Sequence, residues 1–277
     1  MTQNAKQETV LVTAATGKTG TRVTRRLDEK GVRVRAGSRK GAGANGVAFD
    51  WEAPETWAPA LAGATAAYVA YYPDLAAPGA VEAMRTFGRE AAAAGVGRLV
   101  ALSGRGEPQA VAAESALGES GVGLTVVRAS FFAQNFSEGP MAEGVANGEI
   151  LFPAGDTAEP FIDADDLADV LVTVLTEDRH AGRVHELTGP RLLTFAEVAA
   201  EISRVSGRQV RYVPVSCADY SGAVQEMGYP EADAVWLAEL FTTLMDGHNA
   251  STTDGVQEVL GREARDFSDF ARDIWGG

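Results

Sequence analysis

The chain has 277 residues and a formal net charge of −14, and 45% of its residues are hydrophobic. It is long enough to bury a full hydrophobic core, but no apolar run reaches the roughly eighteen residues of a membrane span. An acidic chain also lacks the broad basic face that nucleic acid needs, so neither a membrane nor a nucleic acid is expected as a partner. The polar amino-terminal residues hold no signal-peptide core, which predicts a cytoplasmic protein.

Short apolar or β-branched runs alternate with helix-length segments along the chain. The runs predict strands near residues 9–13, 32–36, 47–49, 66–70, 98–102, 124–127 and 184–187. This alternation is typical of a parallel sheet that is covered by helices on both faces. After about residue 130 the alternation loosens, and from Ala218 the pattern is mostly helical. We therefore predict a Rossmann-type doubly wound α/β fold with a small, mostly helical C-terminal subdomain.

A small-residue loop joins the first predicted strand to the first helix. Gly17 would let a pyrophosphate approach the backbone, Gly20 would let the helix pack closely on the sheet, and the helix N-terminus would offer N–H groups to an anion. An NTPase P-loop is excluded, because that motif requires Gly where Val12 stands. The loop predicts a dinucleotide site whose pyrophosphate contacts are Ala14, Thr16, Gly17, Lys18, Thr19 and Gly20.

The end of the second predicted strand indicates which dinucleotide binds. NAD sites place an acidic residue there to hold the ribose 2′-hydroxyl, whereas this strand ends in Ser38, Arg39 and Lys40. Two cations would bind a 2′-phosphate, so the sequence predicts NADP(H) as the cofactor, with a solvated turn after the strand as the alternative. The first 40 residues also carry ten Lys or Arg against three Asp or Glu, which supports an anion site there, although a solvated helix face would have the same composition.

The residues that could perform chemistry are few. Short-chain dehydrogenases protonate a carbonyl oxygen through a Tyr-x-x-x-Lys pair, but every Lys in this chain lies at or before position 40. Ser103, after the fifth strand, and Tyr72, after the fourth, are the candidate catalytic residues, with a strand terminator and plain packing as the alternatives. No metal site is expected, because the histidines lack ligand spacing and Asp163, Asp165 and Asp166 are placed to cap an apolar helix.

Nine short segments of the chain together resemble the NmrA-like branch of atypical short-chain dehydrogenases/reductases. They are residues 16–20, 38–39, 102–104, 114–117, 124–128, 132–135, 160–163, 166–168 and 186–190. Within it, the chain is similar to festuclavine synthases and agroclavine dehydrogenases, which reduce a cyclic iminium, and to NADPH-quinone reductases. The chain departs from the family's pattern at two positions. Ala14 replaces the family's first Gly, and Glu114 lies about where the catalytic Lys of classical members stands.

The resemblance implies one NAD(P)-binding domain over residues 1–277, with a Rossmann core at about 8–130 plus 184–187 and a substrate subdomain from about 131–162 and 190–277. It implies that Asp50 and Trp51 contact the adenine. The implied nicotinamide contacts are Ala129, Ser130, Phe131 and Phe132, and the implied substrate contacts are Phe132, Asn135 and Phe161. Ala70 and Tyr71, at the end of the fourth predicted strand, are further candidate cofactor contacts, with plain packing as the alternative for Tyr71.

We expect an NADPH-dependent reductase that delivers hydride to an electron-poor, small hydrophobic acceptor: a cyclic imine or iminium, a quinone or an enone. Such acceptors need less help from an acid than a simple ketone does. The alternatives are a non-catalytic NADP(H) sensor and a non-redox isomerase or cyclase on the same fold. The sequence leaves open whether the protein is a monomer or a homodimer.

Overall fold

The computed structural model describes residues 8–276. Within this range the strands are β1 (Thr9–Val12), β2 (Arg33–Ser38), β3 (Gly46–Ala48), β4 (Ala66–Val69), β5 (Arg98–Gly104), β6 (Gly123–Ala129), β7 (Glu149–Phe152), β8 (Ala158–Glu159), β9 (Val184–Leu187), β10 (Leu193–Thr194) and β11 (Arg211–Pro214). The helices are α1 (Lys18–Glu29), α2 (Trp57–Leu61), α3 (Ala80–Ala93), α4 (Pro108–Gly118), α5 (Pro140–Asn147), α6 (Ala164–Thr176), α7 (Phe195–Ser206), α8 (Cys217–Glu226), α9 (Glu231–Leu244), α10 (Gly255–Leu260) and α11 (Phe267–Trp275).

Seven strands form one parallel sheet in the order β3-β2-β1-β4-β5-β6-β9. Each of the seven strands predicted from the sequence is present in it. The central strands β1 and β4 are buried throughout, which is why they consist of apolar and small residues. The Rossmann-type α/β fold is therefore confirmed, and the strand order reverses between β1 and β4, where doubly wound sheets bind their ligands.

The described chain forms two compact units. The first consists of residues 8–129, Ala164–Leu187 and Gly255–Gly261 and holds the seven-stranded sheet; the second consists of Ser130–Asp163, Thr188–Asp254 and 262–276. Helix α10 belongs to the first unit, where it packs on α6 and β9. The division into a cofactor core and a substrate subdomain is a statement about binding, and it stays a prediction.

Each unit has its own hydrophobic core. In the first unit, side chains of β4 and β5 pack against α3 and α4 through residues such as Met84, Phe87 and Leu117. In the second unit, the core is rich in aromatic rings, and Phe152 and Phe195 stack with their centroids 4.6 Å apart. Among the described residues, no helix combines the length and apolar character that a membrane span requires.

Ion pairs join α1 to α6 within the first unit. Arg26 donates to Asp165 at 2.7 Å and to Asp169 at 2.6 Å, and Arg22 donates to Asp165 at 3.4 Å. Asp165 lies in the first turn of α6, where the helix dipole also favours negative charge, and Asp169 lies one turn later. Part of the positive charge that the sequence places in the first 40 residues therefore has a structural partner.

Candidate cofactor and active site

The loop between β1 and α1 has the geometry of an anion cradle. Thr16 and Gly17 are exposed at its tip, and the Gly17 N–H donates to the Ala14 carbonyl at 3.0 Å. Helix α1 begins without a side-chain cap and without an acidic residue in its first turn. A β-carbon on Gly20 would stand 1.8 Å from the Ala14 carbonyl oxygen, so only glycine lets the loop fold back on the helix. A helix N-terminus that no side chain caps is suited to binding an anion.

The Thr19 side chain is directed into the core instead of toward the loop tip. Its hydroxyl lies 2.8 Å from the phenol oxygen of Tyr68 on β4, and both residues are buried. Burial raises the pKa of Tyr68 above its usual range, so the phenol stays neutral and bonded. Thr19 can therefore contribute to an anion site through its backbone N–H, while its side chain ties α1 to the sheet.

Arg39 and Lys40 follow the end of β2 and are exposed. Neither side chain forms an ion pair or hydrogen bond with any residue that the structure describes. Arg35, by contrast, donates to the carbonyls of Ala60 at 2.8 Å and Pro59 at 2.9 Å. The two uncommitted cations are those that the sequence assigned to a 2′-phosphate.

Trp51 and Tyr71 lie together near the carboxyl ends of β3 and β4. The Trp51 indole N–H donates to the Ala70 carbonyl at 2.9 Å, and its ring lies 5.1 Å from that of Tyr71. The Asp50 carboxylate accepts from the Glu52 N–H at 3.1 Å. Three of the predicted cofactor contacts, Trp51, Ala70 and Tyr71, are therefore brought together. The candidate catalytic residue Tyr72 points to solvent, with 73% of its surface exposed.

Ser103 is part of a buried charged network. Its hydroxyl donates to Glu114 Oε1 at 2.6 Å, and Arg128 binds the same carboxylate through Nε at 3.0 Å and Nη2 at 2.7 Å. Ser103 and Glu114 are each 5% exposed. The hydrogen bond to Glu114 raises the pKa of Arg128. The network continues through Glu186, which lies 3.5 Å from Arg128 and 3.2 Å from Arg105.

The sequence analysis gave no role to Arg128 or Glu186. The sheet register explains why they belong to the site, because Ser103 pairs with Arg128 across β5 and β6, and Arg128 pairs with Glu186 across β6 and β9. A single sequence shows each residue near the end of a strand. It does not show that the strands are neighbours.

A second buried carboxyl group, that of Glu107, was also missed. It follows β5, is 7% exposed, and its Oε2 has no hydrogen-bond partner among the described residues. Burial, and then the nearby carboxylates of Asp74 and Glu114, raise the pKa of Glu107 to about 9. The first unit therefore holds two buried glutamates close to the end of the same strand, one bound by Arg128 and one with a raised pKa.

The other predicted contacts lie in the second unit. The Ser130 hydroxyl donates to the Pro160 carbonyl at 2.6 Å, and a short bridge pairs Phe132 with Ile162. Phe131 and Phe161 pack with ring centroids 5.9 Å apart. Phe132 and Asn135 are half-buried, whereas Phe161 is 2% exposed and lies inside the aromatic core. Direct contact between Phe161 and a substrate stays a prediction.

Comparison with known proteins identifies the family. The model of the NmrA-like family matches residues 111–271. The chain belongs to the NmrA-like family. It is 33% identical over 274 residues to the uncharacterized oxidoreductase YesF of Bacillus subtilis (96% of this chain, 95% of the relative). It is 32% identical over 281 residues to an NAD(P)H azoreductase of Xenophilus azovorans (95% and 96%). A festuclavine dehydrogenase of Aspergillus fumigatus is 29% identical over 287 residues (95% and 96%).

Solved structures show the same fold at lower identity. The triphenylmethane reductase of Citrobacter sp., complexed with NADP(H), has a TM-score of 0.74 and 22% identity over 96% of this chain and 99% of its own. NmrA, a negative transcriptional regulator in complex with NAD, has a TM-score of 0.72 and 19% identity over 98% and 96%. The resemblance that the sequence segments indicated is thus confirmed. Reductases and a regulator share this fold, so the fold alone does not decide the activity.

Proposed function

We propose that this NmrA-like protein is an NADPH-dependent reductase that delivers hydride to an electron-poor, small hydrophobic acceptor: a cyclic imine or iminium, a quinone or an enone. The observation that carries the proposal is the uncapped N-terminus of α1 with the uncommitted cations Arg39 and Lys40 at the end of β2. Two relatives that span nearly the whole chain are named as oxidoreductases, which supports a reductase.

Different residues of the chain would hold different parts of the cofactor. The loop from Ala14 to Gly20 would bind the pyrophosphate, Arg39 and Lys40 the 2′-phosphate, and Trp51 the adenine. Ala129, Ser130 and Phe131 would contact the nicotinamide, with Phe132 and Asn135 toward the substrate. Bound NADPH supplies a hydride, and the protein's part is to orient it and to exclude water.

The absence of Tyr-x-x-x-Lys restricts the acceptor. Ketone reduction builds negative charge on oxygen and benefits strongly from a positioned acid, whereas an iminium already carries positive charge and a quinone or enone delocalises the added electrons. Neither remaining candidate replaces the missing pair, because Tyr72 is largely exposed and the Ser103 proton is donated to Glu114. We therefore propose conjugated or cationic acceptors in preference to simple ketones.

The test is NADPH oxidation by the purified protein across cyclic imines, quinones and enones, with simple ketones as poor comparison substrates. At least one compound should consume NADPH with saturation kinetics, and Phe132→Ala should raise its KM. Val111→Ala truncates an exposed apolar residue of α4 and serves as the matched control. Tight NADPH binding without oxidation by any acceptor, together with a protein partner captured in only one cofactor state, would establish the sensor function instead.

A further inference from the structure

The hydrogen-bond direction at Ser103 is fixed by its surroundings. A serine hydroxyl has one proton and two lone pairs, and this proton is donated to Glu114 Oε1 at 2.6 Å. Glu114 is the acceptor in this pair, because both of its carboxylate oxygens also accept hydrogen bonds from Arg128. Reversing the bond would leave a buried carboxylate oxygen short of a donor, which is costly where both residues are 5% exposed.

Arg128 is itself held in place by further contacts, so the hydrogen bonds of this network cannot all reverse direction together. Its Nη1 lies 3.5 Å from Glu186, and Glu186 lies 3.2 Å from Arg105. The sheet register places Ser103, Arg128 and Glu186 side by side across β5, β6 and β9. Because the Ser103 proton is engaged by Glu114, the Ser103 oxygen has lone pairs and no proton to offer a third group.

The position of Ser103 makes this polarity relevant to a ligand. It is the next-to-last residue of β5, at the carboxyl edge of a parallel sheet, where ligands of doubly wound folds bind. A carbonyl or ether oxygen would find no donor at Ser103, whereas an N–H group would find an acceptor. Matching a donor to a donor, or an acceptor to an acceptor, leaves both groups unpaired and produces strong discrimination.

We propose that Ser103 is a specificity-determining hydrogen-bond acceptor, held in that role by Glu114 and Arg128, and that it binds an N–H group of the ligand. This inference rests on the proposed reductase function. The N–H can belong to a protonated cyclic imine or to the carboxamide of the nicotinamide. For the imine, hydride adds to carbon, the C=N π electrons move to nitrogen, and a neutral amine forms with no further proton required.

Equilibrium binding tests the inference without turnover. In the first arm, NADPH-loaded protein, which cannot transfer hydride to an already reduced ligand, is titrated by calorimetry with protonated 1,2,3,4-tetrahydroisoquinoline, an N–H donor, and with isochroman, its oxygen isostere. In the second arm, NADP+ is compared with its 3-acetylpyridine analogue, which lacks the carboxamide N–H. Ser103→Ala should reduce the preference for the N–H ligand about ten- to a hundred-fold in the arm whose N–H reaches Ser103.

Two further variants distinguish an effect of the hydrogen-bond direction at Ser103 from general damage to the fold. Ser115→Ala removes an exposed serine of α4, next to Glu114, and should leave the ligand preferences in both arms unchanged. The double variant Glu114→Met/Arg128→Met replaces the buried ion pair by apolar groups and frees the Ser103 proton, so the preference for the N–H ligand should fall to nearly none. Circular dichroism and thermal melting establish that each variant is folded.

The outcomes separate this inference from the proposed function. A preference that is lost in Ser103→Ala supports the inference even if no acceptor in the oxidation panel consumes NADPH, in which case only the reductase function fails. Unchanged preferences in both arms, or no preference for N–H ligands in the wild-type protein, overturn the inference even if NADPH is oxidised rapidly.

Discussion

The carboxyl group of Glu107 lies over Gly104, in the space that a side chain at that position would fill. A β-carbon on Gly104 would stand 2.0 Å from Glu107 Oε1. The carboxyl is buried there beside Asp74 and Glu114, which disfavours its ionised form and raises its pKa to about 9. Glycine at the end of β5 thus provides the room for a carboxylic acid that is neutral at physiological pH.

The raised pKa of Glu107 predicts a pH dependence of stability. Between the ordinary carboxyl pKa near 4.5 and about 9, the folded protein binds more protons at this site than the unfolded chain. Stability should therefore fall as pH rises through this window. In Glu107→Gln that loss is absent, so the variant should gain stability relative to wild type with rising pH, by at most about 1.4 kcal/mol per pH unit.

Urea unfolding of both proteins at several pH values between about 5 and 8 measures this difference. Glu239→Gln alters an exposed glutamate of α9 and should run parallel to the wild type over the same range. A constant difference between Glu107→Gln and the wild type would show that Glu107 ionises normally.

Gly20→Ala should destroy the anion cradle formed by the loop between β1 and α1. The new β-carbon would collide with the Ala14 carbonyl oxygen, and that atom belongs to backbone that cannot rotate away. We expect a loss of about 3 kcal/mol or more in unfolding free energy, together with loss of cofactor binding. Gly118→Ala is the matched control, because its β-carbon would meet only Leu124 at an ordinary 3.5 Å. Thermal melts and cofactor titrations compare the two; equal, small effects would mean that the loop does not pack as described.

Arg39→Ala should distinguish the two dinucleotides. A charge-assisted contact to the 2′-phosphate contributes on the order of 1.5–3 kcal/mol, so NADPH binding should weaken roughly ten- to a hundred-fold while NADH binding changes little. Fluorescence titration with both cofactors measures the effect. Arg33→Ala removes an exposed arginine from the beginning of the same strand and should alter neither affinity. Equal losses of NADPH and NADH binding in Arg39→Ala would contradict the assignment.

The histidine pair of the first unit predicts an acid-sensitive region. His180 Nδ1 and His185 Nε2 lie 3.1 Å apart, both rings are buried, and burial lowers the pKa of each below its usual value near 6.5. Because the unfolded chain binds protons at these sites more readily, stability should be fully present above about pH 6.5 and decline as pH falls below it.

His185→Gln should weaken this acid-side decline in melting temperature between about pH 7 and about pH 5. His248→Gln, which changes an exposed histidine beside Asp246, should not weaken it. Identical pH profiles for His185→Gln and the wild type would place the acid sensitivity elsewhere.

The sequence by itself determined the sheet and the close packing of the glycine loop between β1 and α1, because both depend on local patterns. A short apolar run such as 66–70 indicates a buried strand when it alternates with helix-length segments, and Gly17 and Gly20 are needed at fixed positions within one strand-loop-helix unit. The exposed pair Arg39 and Lys40 was predictable for the same reason, since it follows directly from the end of a strand.

Tertiary structure alone decided which distant groups meet. Glu114 lies near the position of an expected catalytic lysine, but only the pairing of β5 with β6 shows that its carboxylate accepts hydrogen bonds from both Arg128 and the Ser103 hydroxyl. Likewise, the neutral Glu107 depends on burial beside Asp74, more than thirty residues earlier in the chain. Charge and protonation follow from the surrounding dielectric and neighbouring charges, which arise only when separate strands are packed together.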